Sequence, residues 1–284
     1  MVISEALHQA SKTLAAHPIE DASLEAELLL MHILGLDRAK LYARLGEEVS
    51  ADGAEALAQL VQRRLGHEPT AYIIGHREFF GHDFHIAPGV LIPRPETELL
   101  VEEALDFVQQ RFPHGDPIIA DIGTGCGAIA ISLALLLPRA TVYATDISPR
   151  ALEIARVNCG KYRVQDRVLI LEGDLVSSLP EPADIIVANL PYIKDEDWSG
   201  LSAEIRLYEP KVALAGGRDG LDVVRRLLIN ANQKLRSGGL ILLEIGVGQG
   251  PAAASVAKGL FPGARTELAP DLGGRERVLK IVLT

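Results

Sequence analysis

Apolar residues recur at helical spacing over the first part of the chain. Leu7, Ala10 and Leu14 mark one face, Leu24, Leu28, Met31 and Leu34 a second, and a third helix follows Ser50, whose hydroxyl suits an N-cap. Gly35 and Gly66 stand where such helices should stop. From Ala71 to Val90 the texture turns to alternation, through Tyr72-Ile73-Ile74-Gly75 and Phe79-Phe80-Gly81-His82-Asp83-Phe84, which predicts a β-hairpin. The segment Leu91-Ile92-Pro93-Arg94-Pro95-Glu96-Thr97-Glu98 then opens a helix with Leu99, Leu100, Ala104 and Val108 on its apolar face. Beyond it, short apolar runs near 118–122, 140–144, 168–171, 184–188, 240–245, 265–268 and 277–282 alternate with helical stretches. That rhythm predicts an α/β fold whose mainly parallel sheet is covered on both faces, with ligands at the carboxyl ends of the strands. The expected division is a helical domain over 1–68, a hairpin linker over 69–92 and an α/β domain over 93–284.

Chemistry concentrates at three strand ends. Pro117-Ile118-Ile119-Ala120-Asp121-Ile122 runs into Gly123-Thr124-Gly125-Cys126-Gly127, and a helix pattern follows at once. Glycines at alternate positions let the backbone turn tightly and approach a ligand, while the helix N-terminus offers free N–H groups. The next strand ends in Thr145-Asp146, where a carboxylate can accept from a ribose diol. This unit alone fits a nucleotide-type cofactor without saying which; Gly123-x-Gly125-x-x-Ala128 also meets the loose dinucleotide pattern, and a purely structural turn stays open. At the third strand end, Asn189-Leu190-Pro191-Tyr192, an Asn side-chain carbonyl and a stiffened backbone carbonyl offer two acceptors to an –NH2 group, and Tyr192 offers a flat face. Taken in isolation the tetrapeptide also fits an Asx-type turn with a core Tyr.

Composition narrows the field. With 284 residues the chain is long enough for a large core, and its 48% apolar and 23% charged content is that of an ordinary globular protein. The formal charge of −10 speaks against gripping a long phosphate backbone. No basic leader or long apolar run is evident, and two cysteines, Cys126 and Cys159, are too few for a disulfide framework, so the reading is cytoplasmic with no membrane partner. His76, His82 and His85 share the hairpin, but without cysteines or a carboxylate pair they are a weak zinc set; no metal is expected.

The order D-I-G-T-G-C-G, Asp146 and N-L-P-Y resembles the S-adenosylmethionine-dependent amino-methyltransferases of class I, whose mark after the fourth strand is [N/D]-P-P-[Y/F/W]. Together with I-P-R-P-E-T-E, the upstream E-P-T-A-Y-I-I-G-H-R-E-F-F-G and E-P-K-V-A-L-A-G-G-R-D-G-L at 209–221, the chain is similar along nearly its whole length to the release-factor glutamine N5-methyltransferases, the PrmC/HemK family. The resemblance implies a Rossmann-like class I domain with an antiparallel last strand, and a helical domain that recognises substrate. It implies a cofactor loop at Gly123, Thr124, Gly125, Cys126 and Gly127, a ribose-binding acid at Asp146 and an adenine-side contact at Asp174-Leu175. It further implies an active-site and substrate motif at Asn189, Leu190, Pro191 and Tyr192, with Asn189 also beside the cofactor and Pro93, Arg94 and Glu96 bordering its pocket. Leu190 departs from the usual proline; a backbone carbonyl there survives the change, although the turn loses some stiffness. The implied reaction methylates the glutamine of the Gly-Gly-Gln loop of class 1 peptide-chain release factors, by a monomer that binds no nucleic acid directly. The rivals are an N6-adenine or N4-cytosine nucleic-acid methyltransferase, against which acidity speaks, and a non-catalytic cofactor-binding interaction module. A dehydrogenase lacks a recognisable proton-relay His.

Overall fold

The computed structural model describes residues 1–17 and 19–284, and the chain divides into two compact units. The first comprises Met1–His76 with Ser202–Tyr208 and the second Arg77–Leu201 with Glu209–Thr284. In the first unit α1 (Ile3–Ala15), α2 (Ala22–Leu34), α3 (Arg38–Ala43) and α4 (Ala51–Leu65) bury Leu14, Leu29, Leu30 and Leu41 completely. Their caps follow the local chemistry. Ser50 accepts from the Gly53 N–H at 3.1 Å, Asp37 from that of Lys40 at 2.8 Å, and Gly35 ends α2 in the left-handed region at φ 62°.

One expectation fails here. Tyr72-Ile73-Ile74 is not strand: it lies in α5 (Thr70–Ile74), closed by Gly75 at φ 81°. All five residues of that turn are buried, so their apolar run carried no information about facing. The hairpin itself is short, β1 (His76–Phe79) and β2 (His82–His85).

The second unit is built on a seven-stranded sheet. After a 3-10 turn at Pro95–Thr97 come α6 (Glu98–Arg111), β3 (Ile118–Ile122), α7 (Ala128–Leu136), β4 (Thr141–Asp146), α8 (Pro149–Tyr162), β5 (Val168–Glu172) and β6 (Ala183–Ala188). Helix α9 (Ala203–Tyr208) belongs to the first unit. Then follow α10 (Asp222–Ala231), β7 (Leu235–Glu244), α11 (Gly250–Leu260), β8 (Arg265–Pro270) and β9 (Glu276–Val282). Strand order is β5-β4-β3-β6-β7-β9-β8. The first five are mutually parallel, and β9 runs antiparallel to both β7 and β8. Central β6 is buried at every residue, as a strand covered on both faces must be. Strand β7 starts five residues before its apolar run because Gly238 and Gly239 carry the backbone through a register shift opposite Ala183–Ile185. Among the described residues no helix is long and apolar enough to cross a membrane, and no cluster of His, Cys, Asp and Glu could hold a metal ion.

Candidate active site

The switch in strand order between β4-β3 and β6 places a crevice at the carboxyl rim of the sheet, the expected ligand position in an open α/β sheet. Its walls include Gly123 and Gly125 after β3, Asp146 at the end of β4, Asp174 and Leu175 after β5, and Asn189 to Pro191 after β6. The crevice has a cavity volume of about 180 Å³ and opens to solvent at its mouth.

The glycine loop is tied down from both sides. Gly123 and Thr124 donate their N–H groups to the Thr145 carbonyl at 2.8 and 2.9 Å, and Gly125 donates to Asp146 Oδ2 at 2.9 Å. Asp146 Oδ1 accepts from the Ser148 N–H at 2.8 Å, and burial raises its carboxyl. Positive φ at Gly123, Gly125 and Gly127 (74°, 57° and 86°) explains the three glycines. A Cβ at Gly125 would meet nothing within 4 Å, so the missing side chain leaves room on the crevice wall for a ligand to approach the backbone. Thr124 and Cys126 are inside the loop and off the wall: Thr124 Oγ1 donates to Asp121 Oδ2 at 2.6 Å, and the Cys126 carbonyl accepts from Asn158 Nδ2 at 2.9 Å. Burial pushes the Cys126 thiol up to about 12, so it is no nucleophile. Leu175 holds φ 54°, an uncommon conformation for a branched aliphatic residue and one that clusters at ligand sites. Neighbouring Asp174 pairs with Arg226.

Asp121, beneath the loop, is fully buried, and burial pushes its carboxyl from 3.8 up to about 7. Between those two values the folded chain holds a proton that the unfolded chain has released, so stability falls as pH rises across the window. The melting temperature should decline between roughly pH 5 and pH 7, and decline less in Asp121→Asn; parallel curves for the two proteins would remove Asp121 as the source.

Arg94 is not among the residues that line the crevice. Its guanidinium pairs with buried Glu209 and donates from Nη1 to the Ile92 carbonyl at 2.7 Å, while Glu209 accepts from the Ile92 N–H at 3.2 Å. The arginine between two prolines therefore fastens the 91–94 segment to the Glu209-Pro210 corner, whose Pro210 lines the crevice.

The Asn-Leu-Pro-Tyr turn is braced from behind by residues that sequence reasoning passed over. Asn189 Nδ2 donates to Thr97 Oγ1 at 3.0 Å, and Thr97 Oγ1 donates to Glu244 Oε2 at 2.6 Å. Tyr192, off the crevice wall, has its hydroxyl near the same carboxylate, close enough for each to shift the other's titration. Burial raises Glu244, and the two hydroxyl donors oppose that rise. Burial, then the adjacent Glu244 charge, raises the Tyr192 phenol. Gln249 Nε2 donates to the Tyr192 carbonyl at 2.9 Å, and the Ile193 N–H donates to the Leu214 carbonyl at 2.9 Å, answered by Gly216 N–H to the Ile193 carbonyl at 2.8 Å. Leu190 is buried against the glycine loop: a Cβ on Gly123 would lie 3.3 Å from its Cδ2. A signal for Glu244 was present, since a carboxylate closing the run Leu240-Ile241-Leu242-Leu243 must find hydrogen-bond donors if that strand is buried.

Sheet order, the single antiparallel strand and the glycine crevice define a class I methyltransferase fold. A methyltransferase from Pyrococcus furiosus matches it with TM-score 0.51 at 19% identity, over 79% of this chain and 98% of that one. A 16S rRNA methyltransferase from T. thermophilus, solved with AdoMet and guanosine, matches with TM-score 0.50 at 21% identity, over 74% of this chain and 50% of that one. Family models for the PrmC N-terminal domain and the methyltransferase small domain match residues 5–75 and 97–207. The chain is 45% identical over 278 residues to the release factor glutamine methyltransferase of Moorella thermoacetica, covering 98% of this chain and 97% of that one. It is 41% identical over 272 residues to that of Geobacter sulfurreducens, covering 94% and 91%. The chain belongs to the release factor glutamine methyltransferase family.

Proposed function

We propose that this enzyme transfers a methyl group from S-adenosylmethionine to the side-chain amide nitrogen of the glutamine in the Gly-Gly-Gln loop of class 1 release factors. The observation that carries this reading is the orientation of Asn189. Its –NH2 is held by Thr97, so its carbonyl oxygen is left to accept from a substrate amide at the crevice.

The residues present fit the cofactor. The open Gly125 wall, the carboxylate of Asp146 for a ribose diol and the strained Leu175 beside Asp174 for an adenine form one continuous lining. When bound, S-adenosylmethionine supplies an electrophilic sulfonium methyl. A glutamine amide is a poor nucleophile because its nitrogen lone pair is delocalised into the carbonyl. Hydrogen bonds from its two N–H groups to Asn189 Oδ1 and to the Leu190 carbonyl favour a pyramidal nitrogen and accommodate the positive charge that grows there. The alkylated nitrogen is strongly acidic and loses its extra proton to water, so no general base is required. Leu190 serves through its backbone, which is why its side chain is free to pack on the glycine loop.

In this reading the enzyme acts as a monomer in the cytoplasm, where two buried free thiols suit a reducing compartment. Purified enzyme, labelled cofactor and a release factor give the decisive assay. Label should enter the wild-type release factor and be absent from one whose Gly-Gly-Gln glutamine is replaced by alanine; equal labelling of both sinks the assignment.

A further inference from the structure

We propose that Thr97 and Glu244 fix the polarity of the Asn189 carboxamide and so decide whether position 189 works as an amide or as an acid. This inference rests on the reading that Asn189 Oδ1 receives the substrate amide.

An Asn side chain has two chemically opposite ends of nearly equal size, and only the hydrogen bonds around it select which end faces a ligand. At Asn189 the selection is made two residues deep. Thr97 Oγ1 carries one proton, and that proton goes to Glu244 Oε2 at 2.6 Å. The hydroxyl then has only lone pairs to turn toward Asn189, and 3.0 Å away it meets Nδ2. The opposite arrangement would set two acceptors face to face. Thr97 and Glu244 are both buried, at 4% and 2% exposure, so water is poorly placed to substitute for either partner. The Tyr192 hydroxyl, on the same turn, lies near Glu244 and favours its charged form. The motif I-P-R-P-E-T-E thus contributes a threonine whose role is to orient a side chain 92 positions further along the chain.

The same geometry predicts an exchange. In Asn189→Asp, a carboxylate oxygen replaces the –NH2 against Thr97, and one hydroxyl proton cannot serve carboxylates at both 189 and 244. In Glu244→Gln, the carboxamide at 244 can turn its –NH2 to donate to Thr97 Oγ1, which releases the threonine proton toward position 189. An acid at 189 then becomes acceptable. The two substitutions should therefore compensate each other, a result that mere loosening of the fold would not produce.

The experiment measures kcat, KM for the release factor and product-analogue affinity for six proteins, each with its melting temperature recorded. Thr97→Val should lower kcat roughly 10- to 100-fold, as loss of an outer hydrogen-bond partner of a functional side chain does, with KM and analogue affinity unchanged. Thr97→Ser should restore most of that loss. Asn189→Asp should be nearly inactive, and Asn189→Asp combined with Glu244→Gln should exceed it about tenfold or more. A near-wild-type kcat for Thr97→Val, or a double variant no better than Asn189→Asp alone, overturns the proposal. Asn189→Ala separates the two layers: if it is also near wild type, the acceptor role of Asn189 itself has failed; if it is inactive while Thr97→Val is not, only the polarity lock has.

Discussion

Replacing Asn189 by alanine should lower turnover at least ~10²-fold, the scale of losing one preorganised polar contact to a developing charge. Affinity for S-adenosylhomocysteine should change little, because Asp146 and the glycine loop keep their own hydrogen bonds without Asn189. The variant loses only one side chain at the crevice rim and leaves Thr97 bonded to Glu244. Single-turnover methyl transfer together with calorimetric titration of the product analogue separates these two quantities. A single-turnover rate within about threefold of wild type would take Asn189 out of the reaction.

Gly216→Ala should also lower turnover strongly, although Gly216 is distant in sequence from the turn it supports. A Cβ there would stand 2.7 Å from the Tyr192 Cα and 2.7 Å from the Gly220 carbonyl oxygen. Both are backbone atoms, so the Asn-Leu-Pro-Tyr turn itself must move. Displacements of about 1 Å at a reacting centre cost on the order of 10²-fold in rate, and kcat should fall by something between tenfold and that value. Gly200→Ala is the control, since nothing lies within 4 Å of its Cβ position. Equal rates for the two variants would show that the 214–220 segment does not brace the turn.

Much of this architecture could be read along the chain, and what could not has a physical reason. The βα rhythm and the three strand-end motifs are local signals, and they converge on one crevice because parallel strands send all their carboxyl ends to the same rim. The cap at Ser50 is equally local and formed as its chemistry dictates. The failures arise where meaning depends on a distant partner. Tyr72 to Ile74 looked like strand because a run buried on every side has no period to read. The ion pair of Arg94 is invisible along the chain because Glu209, the acid that engages it, lies 115 residues away. Thr97 was passed over for the same reason: nothing beside it in the sequence announces Asn189 or Glu244. Gly216 and Gly220 are places where one backbone segment presses on another, a closeness that nothing local in the sequence marks.

The position of β9 has a consequence for how the molecule comes into being. This strand is synthesised after every other, yet it occupies an interior place in the sheet, wedged between β7 and β8. Until it inserts, β7 presents a bare apolar edge from Leu240 to Glu244, and β8 has no neighbour at all. Val278 pairs with Glu244 itself, and the Ile245 N–H donates to the Arg277 carbonyl at 2.8 Å. The Glu244 carboxylate, bonded through Thr97 to Asn189, therefore settles only when the closing strand arrives, so the Asn-Leu-Pro-Tyr turn should be among the last parts of this sheet's rim to take its final form.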